Sequence, residues 1–199
     1  ALTARGILLS RFDPAGKSIV PVSAKDYEEV EVWDLDAGRR ERVLAAAGPT
    51  LAVAVSARGH RGLTASAEGQ LQLWDLDSGD CLMTLHGDGA PVYALAMTPD
   101  ARLAASGGGL FGERGPGTAS TALHVWDLST GACRFVLEGH EMPVVGLGLS
   151  ADGRRCVSAA GGMSPSTGEL HVWDLEHGRC CKRFAPHTLW NCTMGATAD

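Results

Sequence analysis

Apolar and polar residues alternate with a period of two in short runs along this chain. Val30 and Val32 alternate with Glu31 and Trp33, and Leu71 and Leu73 with Gln72 and Trp74. Successive side chains of a strand point to opposite faces, so each run predicts a short strand with one face against a core. Cys81–Leu85 and Cys133–Leu137 read as further strands. Leu95–Met97 and Leu147–Leu149 read likewise, each ending in a turn, at Thr98-Pro-Asp-Ala101 and Ser150-Ala-Asp-Gly153.

The runs recur as a unit. VEVWDLDAG, LQLWDLDSG, LHVWDLSTG and LHVWDLEHG place Trp33, Trp74, Trp126 and Trp173 at separations of 41, 52 and 47 residues. Each Trp-Asp pair is followed by a glycine, Gly38, Gly79, Gly131 or Gly178, which can close a tight turn at positive φ without a Cβ clash. Strands before and after each turn, with two more upstream, make about four strands per unit and no helix between units. One small sheet cannot bury both faces alone, so stacked sheets arranged radially are the expected architecture.

The fourfold Trp-Asp signature with its glycine turn resembles the WD-repeat family over nearly the whole chain. That resemblance implies an all-β, WD-repeat β-propeller of four repeat units plus one extra strand. The units run approximately over 1–44, 45–85, 86–137 and 138–184, with a further unit starting at 185–199. Thr197-Ala-Asp199 aligns with Ser150-Ala-Asp152, where a turn should begin, so the expectation is a part of a larger propeller cut mid-repeat. The alternative is four-bladed closure, with Leu189–Met194 pairing near Ile7–Phe12, or self-association of an open arc. An open arc exposes a sheet face at each end, which favours association.

The family also implies a buried hydrogen-bonded set of His, Ser or Thr, Asp and Trp. Here His140, Ser158 and Trp173 match, with the Asp displaced by the insertion 161–168. Asp88 stands at the His position before Ser106 and Trp126, while Thr64, Glu68 and Trp74 match with Ala46 replacing His. Asp26 and Trp33 match in the first unit, where Pro21 takes the hydroxyl's place. No unit is complete, and each tryptophan is expected to be buried beside Pro21, Thr64, Ser106 or Ser158.

Composition narrows the function classes. Hydrophobic residues make up 45% of the 199 residues, and no apolar run reaches the roughly 18 needed to cross a bilayer. A formal net charge of −6 gives no broad positive field for nucleic acid. Neither an initiator methionine nor a targeting pattern opens the sequence, so Asn191-Cys-Thr193 is read as a chance sequon and the location as cytoplasmic. Cys81, Cys133 and Cys180 are repeat-equivalent, too far apart to pair, and are expected as small buried hydrophobes in a reducing compartment.

Both long insertions, 107–120 and 161–168, fall between second and third strands and so share one face with the inter-unit loops 86–91, 138–143 and 185–190. On that face Phe111, Arg114, Met142, Met163 and Trp190 are the candidate partner-binding residues, against a plainer reading of Gly-rich length drift. The pattern Gly107-x-Gly109-x-x-Gly112 lacks a following helix for a dinucleotide phosphate, and no Gly-x-Ser-x-Gly elbow occurs. His124 and His171 occupy equivalent places, where packing between sheets outweighs a metal bridge. The expectation is a non-enzymatic, cofactor-free scaffold binding other proteins. The alternatives are a regulatory sensor segment and a propeller enzyme with its site at the channel mouth.

Overall fold

The computed structural model describes residues 18–19, 29–34, 37–57, 60–110, 121–161 and 168–184. Those residues form fifteen strands and no α-helix. The first blade holds β1 (Ser18–Ile19), β2 (Glu29–Asp34) and β3 (Arg39–Ala45), and the second β4 (Thr50–Val55), β5 (Arg61–Ser66), β6 (Gln70–Asp75) and β7 (Cys81–His86). The third holds β8 (Val92–Met97), β9 (Leu103–Gly108), β10 (Leu123–Asp127) and β11 (Cys133–Leu137). The fourth holds β12 (Val144–Leu149), β13 (Arg155–Gly161), β14 (Gly168–Asp174) and β15 (Arg179–Phe184). Each sheet is an antiparallel meander whose strands pair in chain order. Innermost strands β4, β8 and β12 lie side by side. This is the radial stacking expected of a propeller.

The Trp-Asp-Leu-x-x-Gly motif explains how each blade turns and how it meets its neighbour. The aspartate carboxylate pins the turn that follows: Asp75 Oδ1 accepts from the amides of Asp77 (2.9 Å) and Ser78 (3.1 Å), Asp127 Oδ1 from Ser129 (2.9 Å), and Asp174 Oδ1 from Glu176 (3.0 Å). Charge on the acceptor strengthens such bonds: the Ser78 amide, with Arg61 beside it, holds the Asp75 carboxyl below the usual range, and the Ser129 hydroxyl and amide hold that of Asp127. The leucine behind, Leu76, Leu128 or Leu175, is buried. The glycine then adopts φ of +85° at Gly79, +77° at Gly131 and +63° at Gly178.

Those glycines also touch the preceding blade. A Cβ on Gly131 would stand 3.0 Å from Met83 Sδ, one on Gly79 3.6 Å from Arg42 Cδ, and one on Gly178 would run into the Phe135 ring. At Gly131 and Gly178 positive φ and close approach thus select glycine twice, whereas at Gly79 the contact is an ordinary one and the φ alone selects it. Gly38 has the same φ, +61°, but a Cβ there would meet nothing within 4 Å.

Three apolar seams fill the junctions. Val30, Val32 and Leu44 of blade 1 pack with Val53, Trp74 and Leu76 of blade 2. Leu71, Leu73 and Leu85 meet Leu95, Trp126 and Leu128, and Leu123, Val125 and Leu137 meet Leu147, Trp173 and Leu175. Each tryptophan therefore faces the blade before it. Trp74, Trp126 and Trp173 are 2–4% exposed.

Two expectations are corrected. Trp33 is only half-buried, because the described residues include no earlier blade for it to face. Its indole donates to Glu31 (2.9 Å) in place of a second-strand hydroxyl. Pro21 and Asp26 lie outside the described residues. Cys81 and Cys133 are exposed and Cys180 half-buried, since the fourth strand is the blade's outer edge. Their thiols donate to the carbonyls two residues on, of Met83 (3.6 Å), Phe135 (3.4 Å) and Lys182 (3.4 Å). Among the described cysteines Cys156 alone is deeply buried, which pushes its thiol up to about 12.

Candidate functional site

The densest polar arrangement lies between blades 3 and 4. His140 enters from the inter-blade loop, Ser158 from β13, and Glu169, His171 and Trp173 from alternate positions of β14. Trp173 Nε1 donates to Ser158 Oγ at 2.7 Å, and Ser158 Oγ lies 2.6 Å from His140 Nε2. His140 Nδ1 is 2.9 Å from Glu169 Oε2. With one proton per donor, the indole N–H feeds Ser158, the hydroxyl feeds Nε2, and Nδ1–H feeds the carboxylate. His140, Ser158 and Trp173 thus meet in one chain of hydrogen bonds. Glu169, at the foot of the strand after the insertion, takes the acidic place that the sequence reading left empty.

His171 adds a contact that its position before Trp173 did not announce. Its ring lies on His140 with centroids 3.9 Å apart and planes within 9°. Its Nδ1 is buried without a partner, and Nε2 stands 3.7 Å from Glu169. Burial, followed by the adjoining His140, pulls the His171 imidazole down to about 4. Burial also holds His140 below its ordinary value, against the pull of Glu169. Both rings are therefore neutral at physiological pH.

This arrangement suits structure better than chemistry. Ser158, His140 and Glu169 have the contact order of a Ser-His-carboxylate triad, yet Ser158 is 0% exposed and its oxygen is engaged by Trp173, so no substrate carbonyl reaches it. His140, Glu169 and His171 offer donor atoms within 4.8 Å of one another. Nitrogen lone pairs lie in the ring planes, however, and nearly parallel stacked rings aim theirs side by side instead of at one ion. Asp174, Glu176 and His177 also cluster, at an open turn where Asp174 is already bonded to His177 (3.0 Å).

The other blades carry shorter versions. Trp126 donates to Ser106 (2.9 Å) and Trp74 to Thr64 (3.0 Å). Asp88 at the His position is exposed and accepts from the Ala90 amide (3.1 Å), outside the buried pair. Glu68 is exposed as well, with its carboxylate over Gly48. Gln72, the equivalent of His171, accepts from the Ala47 amide at 2.8 Å. His124 packs beside Trp126, centroids 5.7 Å apart, and not against His171.

Antiparallel order brings the inter-blade and second-to-third loops to one end. There the amides of Ala67, Gly109 and Gly161 donate to the carbonyls of Pro49, Pro91 and Pro143 in successive blades (2.9–3.1 Å). Thr121 bridges blades by donating to the His140 carbonyl (2.5 Å). Of the expected partner-binding residues, Met142 is half-buried against the seam of blades 3 and 4. Phe111, Arg114, Met163 and Trp190 lie outside the described residues.

A family model described as "WD domain, G-beta repeat" matches residues 79–114 and 131–174, each match starting at the outer strand of one blade and running into the next. The chain belongs to the WD-repeat family. Among curated WD-repeat relatives, WD repeat-containing protein SL1-17 of Schistosoma mansoni is 28% identical over 142 residues, covering 55% of this chain and 47% of that protein. Nuclear distribution protein PAC1 of Arthroderma benhamiae is 32% identical over 154 residues, 74% of this chain and 32% of its own. Eukaryotic translation initiation factor 3 subunit I of Scheffersomyces stipitis is 31% identical over 88 residues, 44% of this chain and 22% of its own. The WD-repeat chain thus spans less than half the length of each of these relatives. A chain of Kuenenia stuttgartiensis hydrazine synthase superposes with a TM-score of 0.76 over 92% of this chain and 49% of that one, at 16% identity, a likeness of fold alone.

Proposed function

We propose that this WD-repeat segment is a non-enzymatic protein-interaction module whose loop face takes up basic segments of partner proteins. The observation that carries the reading is a row of unpaired acids. Glu68, Asp88, Glu138 and Glu141 are exposed on the loop face, and none has an ion-pair partner among the described residues. At the opposite end Asp75, Asp174 and Glu176 are paired with Arg61, Arg179 and Arg154, while Asp34, Asp127 and Asp152 are engaged in hydrogen bonds within their turns. Unpaired like charges on a rigid frame steer oppositely charged partners and fix their orientation.

Leu110, 46% exposed at the foot of the longer insertion, supplies an apolar contact beside these charges. Phe111, Arg114 and Met163, outside the described residues, stay candidate contacts in this reading. Support also comes from the relatives, one of which is by name a subunit of a translation initiation factor. Free thiols at Cys81, Cys133, Cys156, Cys180 and Cys181 suit the reducing interior of a cell.

Fluorescence anisotropy of a labelled Lys/Arg-rich peptide against the full chain tests the reading. The expected result is salt-sensitive binding, weakened at least about tenfold by E138K/E141K and little changed by D77K/D80K at the other end. Equal binding of an Asp/Glu-rich peptide, or equal loss in both double variants, would overturn it.

A further inference from the structure

The loop from Glu138 to Pro143 is held in its middle from two blades at once. Thr121 and Glu169 stand just after, or at the foot of, the two long insertions, 107–120 and 161–168. Thr121 Oγ1 donates to the His140 carbonyl (2.5 Å), and Glu169 Oε2 accepts from His140 Nδ1 (2.9 Å) and from the Glu141 amide (3.3 Å). Ser158 engages the other ring nitrogen at 2.6 Å, and the His140 side chain is fully buried. A ring fixed at both nitrogens, with its own carbonyl and the next amide also engaged, leaves the backbone at 140 and 141 little freedom to open.

Loop 86–91 is built otherwise. Asp88, at the His140 position, is exposed, and its carboxylate accepts from the Ala90 amide of the same loop (3.1 Å). That bond shapes the loop without tying Asp88 to a blade. The two acid-bearing loops of one face thus differ, because Glu138 and Glu141 flank an anchored residue.

We propose that Thr121 and Glu169 are positioning residues for partner binding, gripping the 138–141 segment so that the Glu138 and Glu141 carboxylates are held ready for a basic segment. The proposal rests on the partner reading above and deepens it. A charge pair fixed in advance binds without the cost of ordering its loop, so affinity depends on the grip as well as on the charges. Glu169 acts through His140 and the Glu141 amide and not as a further acid for the partner. Its side chain is 23% exposed, and its carboxylate already accepts two hydrogen bonds.

Two measurements on the full chain test it: hydrogen–deuterium exchange over 138–142, and anisotropy of the labelled Lys/Arg-rich peptide. E169A removes the acceptor for His140 and Glu141, and T121V removes a hydroxyl donor at a half-buried position while keeping its size. Each should speed exchange over 138–142 at least about tenfold with 86–91 unchanged, and weaken peptide binding about fivefold or more. E169Q and T121S, which restore the acceptor and the donor, should recover both. A loss of binding in E169Q as large as in E169A would make Glu169 a direct charge contact and overturn the proposal. Exchange over 138–142 that neither E169A nor T121V changes, or faster exchange with affinity intact, would overturn it too. Wild type that binds no basic peptide overturns the partner reading and this role with it; exchange, read without peptide, separates that failure from a loop that was never gripped.

Discussion

Gly178 leaves no room for a methyl group between its α-carbon and the ring of Phe135 on the preceding blade. A turn residue of one repeat and a strand residue of the one before it are thereby a single packing unit. Gly178→Ala forces both a strained φ of +63° and a displaced ring, so urea denaturation should show a loss of about 2–4 kcal/mol. Gly38→Ala, with equal φ and open space, should cost only about 1 kcal/mol. Equal losses would remove the inter-blade part of the explanation.

Trp126 fills the seam between blades 2 and 3, and truncation to alanine should cost roughly 3–5 kcal/mol through the cavity it leaves. Trp33→Ala should cost clearly less in the isolated chain, because that indole is only half-buried. Chemical denaturation of both variants checks the ranking.

Among the described residues Ser158 serves two partners and Ser106 one. Ser158→Ala orphans the Trp173 indole and leaves His140 Nε2 without a donor, so it should cost more than Ser106→Ala. About 1–3 kcal/mol separates them, the desolvation cost of one further buried group. Thermal unfolding of the two variants under identical conditions decides it.

His171 sets an acid limit. Its folded value near 4 lies below the ordinary 6.5, so the unfolded chain binds the proton more readily. Its stabilising contribution is present above about pH 6.5 and is lost as pH falls towards 4. His140, lowered in the same direction, adds to the slope. His171→Gln, copying Gln72 of blade 2, should flatten the fall in stability between pH 6.5 and 4 by about 2–3 kcal/mol, read from denaturation midpoints across that range. A parallel curve would show that the stacked pair carries no such linkage.

What the sequence determined by itself was the repeat and its turn chemistry. Period-two alternation, a carboxylate beside tryptophan and a glycine five residues beyond that tryptophan act within one strand or one turn, so their consequences are local and readable. The Trp173, Ser158 and His140 contacts were legible only through the resemblance to the family, which implies such a set at those places of the repeat. Tertiary structure decided what depends on a neighbouring blade. Cys81 and Cys133 share the alternation of buried strands yet lie on an outer edge, and Trp33 repeats a buried residue yet is half-exposed, because burial requires a second sheet in place. Glu169 reaches His140, and His171 stacks on it, only because β14 restarts in register after an insertion whose length conceals that register. Likewise, Glu138 and Glu141 have no counter-ion among the described residues while Asp75 and Glu176 have one, an outcome of side-chain distance in space that charge counting along the chain cannot supply.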